Sequence, residues 1–410
     1  MAEHGAALLT DKEKASVLRP IEQARTLPAR AYFAEDFYQA ERQNIFIDQW
    51  VGLCTDAIVA NVGDCEPVWI AEIPLLVVRK PSGEVGVFHN IGPYDGCPVL
   101  LETQKGADTI NAAYHGWQYD LDGKLVGAPY WNGLVDDDRS SIAAKGVPLD
   151  LIEVSSAVFA CLVFVNISGT AKLSFAEFIA PMRASLEKYN VDRFNVGFNP
   201  ETGNLSNYPN TLRCNWKTFL ENDDPNIYHE GFVHAGYRDS SSVPRCDEQG
   251  RKTYTPVVEE RQFGFTFHPD TTAGTYPDFP DEMFLRGADG KPVTDLRGFI
   301  ALYPNVCYAM SGPQFRVALI LPMGAGETNV TEFFCYDVDV ARDPAHRYVV
   351  EKLDKRLLGA LAEDMAPCEQ IHAARHSPAA PNQRFFSPFW DEPLHALAKR
   401  LVTDIAGGTP

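Results

Sequence analysis

His229 and His234 are the residues of this 410-residue chain most able to do chemistry together, and they close the stretch NWKTFLENDDPNIYHEGFVH, residues 215–234. Five residues of ideal helix leave the two rings about 140° apart, so they do not share a face. They reach one metal ion only if the helix ends or distorts between them, and Gly231 is where that is expected. A carboxylate would complete a set of two histidines and one acid, which holds Fe(II) on one side and leaves the opposite positions open for dioxygen and substrate. The spacing alone does not select this reading, because two neighbouring histidines also occur as ordinary polar residues.

The elements that must carry these side chains fall into three stretches. Residues 1–45 read as a helical arm anchored by Phe37, Tyr38, Ile45, Phe46 and Trp50 at its end. From 46 to 166 the pattern changes to short β-like runs such as PVWIAEI, LLVVRK and VGVFHN, punctuated by Gly and Pro, and AVFACLVFVNI closes a small β domain. Residues 167–410 form one larger α+β domain. Ser174 and Glu177 make a capping box that opens a helix toward Tyr189. Asp343-Pro344 starts a second helix, along which Val349, Val350, Leu353, Leu357, Leu361 and Met365 recur at helical spacing up to Pro367. A last helix carries Leu394, Leu397, Leu401 and Ile405 and stops at Gly407-Gly408.

Composition removes several function classes. The formal charge of −19, from 55 acidic and 36 basic residues, opposes binding to nucleic acid or to an anionic membrane surface. The early residues contain no apolar run of signal-peptide length, and nowhere do about 18 apolar residues follow one another. A cytoplasmic protein without a membrane span is therefore expected. The nine cysteines are scattered and include no Cys-x-x-Cys pair, so neither a disulfide framework nor a zinc site is indicated.

Asn215-Trp216-Lys217, Glu221-Asn222 and Tyr228-His229 stand at offsets that resemble the catalytic domain of Rieske-type non-haem iron ring-hydroxylating oxygenases, in their α (catalytic) subunits. The resemblance extends from LPARAYF (27–33) to LAEDMAPCEQIH (361–372). It implies an α+β fold, with a small Rieske-like all-β domain and a larger helix-grip, START-like catalytic domain built on an antiparallel sheet. By the same resemblance Asp364 is the carboxylate ligand beside His229 and His234, and Asn222 and Asn226 are the catalytic positions next to the metal. The family has an aspartate three residues before the first histidine, which joins a neighbouring subunit's cluster to the iron. Asn226 stands there instead, and an amide does not carry that charge or shuttle a proton. Asp223 or Asp224 could take over that role.

The second departure lies in NIGPYDGCPVLLETQKGADTINAAYHGWQYDLDG, residues 90–123. Tyr114-His115-Gly116-Trp117 resembles the second ligand loop of a Rieske domain, whose [2Fe–2S] cluster is held by Cys-x-His and Cys-x-x-His. The four ligand places read Gly92, Tyr94, Ala112 and His115. Loss of three ligands implies no [2Fe–2S] cluster, since a site rebuilt from Cys97, Cys54 and Cys65 would need an unrelated geometry. The family's ring-shaped trimers pass electrons from one subunit's cluster to its neighbour's iron. A chain without a cluster then implies a hetero-oligomer with a cluster-bearing α-type paralogue that receives electrons from a ferredoxin and reductase. The expected activity is hydroxylation of an apolar aromatic, alicyclic or steroid-like molecule at mononuclear Fe(II). A non-catalytic accessory subunit and a metal-dependent lyase or isomerase are the alternatives.

Overall fold

The computed structural model describes residues 8–133, 142–143, 145–199, 201–238, 243–268, 280–295 and 297–405. The chain divides into two compact units, one of Met1–Ile47 with Leu173–Pro410 and one of Asp48–Lys172. Among the described residues no helix is long and apolar enough to cross a membrane.

The unit Asp48–Lys172 is built on a six-stranded antiparallel sheet in the order Val51–Thr55, Leu162–Asn166, Glu153–Phe159, Val85–His89, Ile73–Arg79, Cys65–Ile70. A smaller sheet of Ile110–Asn111, Gln118–Tyr119 and Leu125–Gly127 carries the loop of His115. Leu76, Phe88, Trp117 and Tyr119 form part of one buried cluster, which ties the two sheets together. At Gly123 the backbone is left-handed, with φ +81°, and a Cβ would lie 2.6 Å from the Phe88 ring. That turn needs glycine. No disulfide joins the nine cysteines.

In the other unit an antiparallel sheet runs Phe194–Val196, Glu327–Asp337, Gln314–Gly324, Val306–Ser311, Arg297–Leu302, Gln262–Phe267, Tyr254–Val258, with Asn207–Leu212 also paired to Glu327–Asp337. The capping box at Ser174 and Glu177 opens the helix Phe175–Ser185, which ends before Tyr189. The last helix spans Glu392–Ile405, and Gly407-Gly408 lies outside the described residues. The arm contains helices Asp11–Val17 and Glu35–Glu41. Glu41 is fully buried, where it accepts from Lys217 Nζ at 2.5 Å and from Trp216 Nε1 at 2.8 Å. The Asn-Trp-Lys segment thus fastens the arm.

The long helix differs from expectation at both ends. It begins at Arg347, because Asp343 caps a turn by accepting from Ala345 N at 2.8 Å, and it continues through Pro367 to Ala374. Proline at 367 removes one helical hydrogen bond, that to the Glu363 carbonyl. Val350 and Leu353 pack on Phe334 and Tyr336 of the sheet. Between them and the candidate site stands Asp354, buried, accepting from Ser206 Oγ at 2.5 Å, Tyr208 OH at 2.9 Å and Tyr336 OH at 2.5 Å. Asp354→Ala is expected to cost about 3 kcal/mol or more, since it leaves buried hydroxyls without an acceptor. Urea unfolding measures it, and Asp354→Asn should lose less.

Candidate metal centre

His229 and His234 bracket a helix of a single turn, Glu230–Val233. His229 is its N-cap, and at His234 the chain is already extended, with φ −86° and ψ 110°. The helix therefore starts and stops between the two rings rather than bending at Gly231. That glycine is instead a point of close approach, where a Cβ would lie 2.9 Å from Val243 Cγ1. So short a helix has little stability of its own. Buried Glu230 holds it down through a two-point pair with Arg245, at 2.8 and 2.9 Å, and Arg245 lies over the Phe267 ring at 4.2 Å.

The long helix brings Asp364 to the pair. His229 Nε2 lies 3.4 Å from Asp364 Oδ1, and His234 Nε2 lies 3.6 Å from Asp364 Oδ2. One ligand atom from each residue falls within 4.8 Å of the others, the one such grouping found among the described residues. Oδ1 of Asp364 is buried and has no hydrogen-bond partner. The three side chains gather their ligand atoms without a hydrogen bond among them, which is how a buried donor set for a cation is arranged. The donors, two imidazoles and one carboxylate, suit Fe(II) in chemistry and number.

Glu363, the residue before Asp364, fixes one of the rings. Its Oε2 lies 3.1 Å from His234 Nδ1, and its Oε1 accepts from Ala235 N at 3.3 Å. A proton held on Nδ1 by this acid leaves Nε2 as the free lone pair toward Asp364. Consecutive acids on the helix therefore take separate parts, one as donor to the shared point and one behind the histidine.

A cavity of about 70 Å³ adjoins these residues. Phe219, Phe299, Leu357 and Leu361 supply apolar wall, and Asn222 and Asn226 also line it. Asn226 Oδ1 accepts from Tyr228 N at 3.0 Å, so its carbonyl end is spent on the local turn. Asp223 and Asp224 do not stand free to replace it, because Arg316 binds them at 2.9 and 3.1 Å. Arg316, like Glu230 and Glu363, was not singled out from sequence. Its strand reads as a core strand, and only its placement opposite two adjacent acids reveals its part.

In the Asp48–Lys172 unit, the loops of Gly92 and Ala112 are joined by the bond from Ala113 N to Val99 O at 2.9 Å. Buried Asn90 closes the first loop, donating to Leu100 O at 2.8 Å and accepting from Leu100 N at 2.9 Å. Tyr94 stacks on Trp117 with ring centroids 5.3 Å apart and meets Trp131 edge-on at 5.0 Å. His115 pairs with Asp95 through Nδ1. Cys54 and Cys65 are buried in strands of the large sheet.

Residues 187–407 match the model of the ring hydroxylating alpha subunit (catalytic domain), and residues 49–136 match that of the Rieske [2Fe-2S] domain. The chain belongs to the ring-hydroxylating α-subunit family. Choline monooxygenase from Arabidopsis thaliana is 22% identical over 386 residues, covering 92% of this chain and 82% of that one. The carnitine monooxygenase oxygenase subunit of Escherichia coli K12 is 27% identical over 227 residues, about half of each chain (55% and 56%). Among solved structures, naphthalene 1,2-dioxygenase from Rhodococcus sp. superposes with a TM-score of 0.72 at 16% identity, covering 98% of this chain and 100% of that one. A quaternary ammonium Rieske monooxygenase gives the same score, identity and coverage. This α subunit therefore combines the family's Rieske and catalytic domains in an α+β fold. Glu363→Ala is expected to weaken divalent-metal binding about 10–100-fold while the chain stays folded. Competition with a chromophoric chelator reads that change.

Proposed function

We propose that this α subunit holds one Fe(II) through His229, His234 and Asp364, carries no [2Fe–2S] cluster, and hydroxylates a small apolar cyclic molecule with electrons from a cluster-bearing partner chain. The observation that carries the reading is the approach of two imidazole nitrogens to one carboxylate, at 3.4 and 3.6 Å, with a carboxylate oxygen left unbonded. Fe(II), when bound to such a set, supplies open positions for dioxygen chemistry. The chain's own residues supply the rest. Glu363 orients His234, and the Glu230–Arg245 pair steadies the turn between the ligands. Phe219, Phe299, Leu357 and Leu361 offer apolar surface to a substrate and keep water from the reacting atoms.

The absence of a cluster rests on donor chemistry. Gly92 and Ala112 have no ligating side chain, Tyr94 is stacked among tryptophans, and His115 is already bonded to Asp95. This set does not fit a centre that requires two thiolates and two imidazoles. Electrons then enter through another chain, as in a cytoplasmic hetero-oligomer with a cluster-bearing α-type paralogue fed by a ferredoxin and reductase. Asn226 favours a second reading, an accessory subunit without chemistry of its own, because it removes a carboxylate from the expected electron path.

Two outcomes are expected. The purified chain should contain no acid-labile sulfide and show no electron-spin signal of a reduced Rieske centre, and two sulfides per chain would contradict that. Alone, with ferredoxin and reductase supplied, it should be inert. Co-expressed with a cluster-bearing paralogue it should assemble and oxygenate substrate, and His229→Ala should abolish turnover without loss of assembly. A His229→Ala complex with the wild-type rate would make this chain the accessory subunit.

A further inference from the structure

The cavity beside the candidate ligands holds a second group of charges that metal binding does not use. Asp223 and Asp224 follow the helix Trp216–Asn222, while Arg316 and Glu332 project from paired strands, Gln314–Gly324 and Glu327–Asp337. The Arg316 guanidinium donates to Asp223 Oδ2 at 2.9 Å, to Asp224 Oδ1 at 3.1 Å and through Nε to Glu332 Oε1 at 2.9 Å. One cation thus serves three carboxylates. Three of the four are deeply buried: Arg316 is 9% exposed, Asp224 3% and Glu332 1%. The second oxygens of Asp224 and Glu332 are inaccessible and have no hydrogen-bond partner.

Charge and burial together leave few ways to satisfy this arrangement. A single guanidinium balances one carboxylate, and Asp223 is the most exposed of the three, with 13% of its side chain accessible. Two negative charges would remain in a site shielded from water. A buried carboxylate without its own counter-charge takes up a proton instead of remaining charged. The two unbonded oxygens are the atoms that can carry it.

We propose that Asp224 and Glu332, clamped by Arg316, keep at least one proton at neutral pH and serve as the proton reservoir of the cavity that contains His229, His234 and Asp364. The role as reservoir rests on the oxygenase reading, whereas the bound proton does not. Insertion of one oxygen atom into a substrate takes up two electrons and two protons as the other oxygen atom leaves in water. The partner chain supplies the electrons. The pair gives these protons up one at a time: a carboxyl O–H bond breaks, the resulting carboxylate remains on Arg316, and solvent returns a proton to it before the second is given up.

The surrounding charges act in the same sense. Burial first, then the neighbouring Asp223 carboxylate, pushes Asp224 well above the usual carboxylate range, against the pull of Arg316. Burial likewise pushes Glu332 up to about 7, with Arg316 opposing and Asp223 and Asp364 adding to the rise. Cys307 and Tyr308 face Asp224 from the next strand as neutral groups, since burial raises both. His229, Glu230, His234, Tyr237 and Asp364 complete the titratable lining.

Infrared spectroscopy of the metal-free full chain tests the proton directly. At pH 6, where ordinary carboxyls are ionised, a protonated-carboxyl C=O band that shifts in D2O should be present, and it should weaken in Glu332→Gln or in Asp224→Asn. Glutamine at 332 keeps an oxygen for Arg316, so that variant should fold even if Asp224→Asn does not. A spectrum unchanged in the folded variants, or no such band in the wild type, overturns the proposal. In the active hetero-oligomer, Glu332→Gln should slow turnover at least about tenfold and alter its pH profile. An unchanged rate and profile would overturn the role as reservoir. If no oxygenation is found, the infrared result still stands or falls alone, so the two readings fail separately.

Discussion

The arrangement of the metal centre depends on how one helix is held in rotation against the sheet. Asp364 and the two histidines are separated by some 130 residues of chain, and they meet because the helix Arg347–Ala374 is locked ten residues earlier, at Asp354. There a buried carboxylate accepts from Tyr208 and Tyr336, on two paired strands, and from Ser206, the residue just before the first of them. Burial raises the cost of the charge, and the hydroxyl donors offset it. A helix fixed only by leucine packing could turn by a fraction of a residue at small cost. One pinned by several directed bonds could not, and the carboxylate at 364 inherits that precision.

From this fixed helix the site is assembled by local devices. Glu363 holds His234 from behind, Glu230 and Arg245 hold the one-turn helix between the histidines, and Arg316 gathers the acids that follow the preceding helix. Each device is a charge with a directed partner, buried at Glu230, Arg245 and Arg316 and half-buried at Glu363. Such groups contribute little net stability but are costly to break, and they select one arrangement of the cavity over others of similar packing.

Much of this was legible in the sequence. The histidine spacing demanded a break in the helix, and the structure supplies one by ending it at His234. The capping box at Ser174 and the amphipathic periodicity from Val349 to Leu361 placed real helices, because both signals arise from contacts within one element. Pro367 misled, since a proline inside a helix is disfavoured locally and tolerated when packing on either side outweighs one lost hydrogen bond. Glu230, Glu363, Arg316 and Asp354 could not be chosen from sequence. Their partners lie from 15 to nearly 150 residues away, and nothing in composition or period distinguishes them from solvated charges. The Rieske-like loops show the reverse. There the backbone that carries Gly92, Tyr94, Ala112 and His115 is held by Asn90, Trp117 and Gly123, residues the sequence marks by type.

Anomalous diffraction from crystals of the chain loaded anaerobically with Fe(II) tests the central claim most directly. The account predicts one iron peak bounded by His229 Nε2, His234 Nε2 and the Asp364 carboxylate, and none among Gly92, Tyr94, Ala112 and His115. A protein that remains free of iron at the first position, or that shows a two-iron peak at the second, would contradict it.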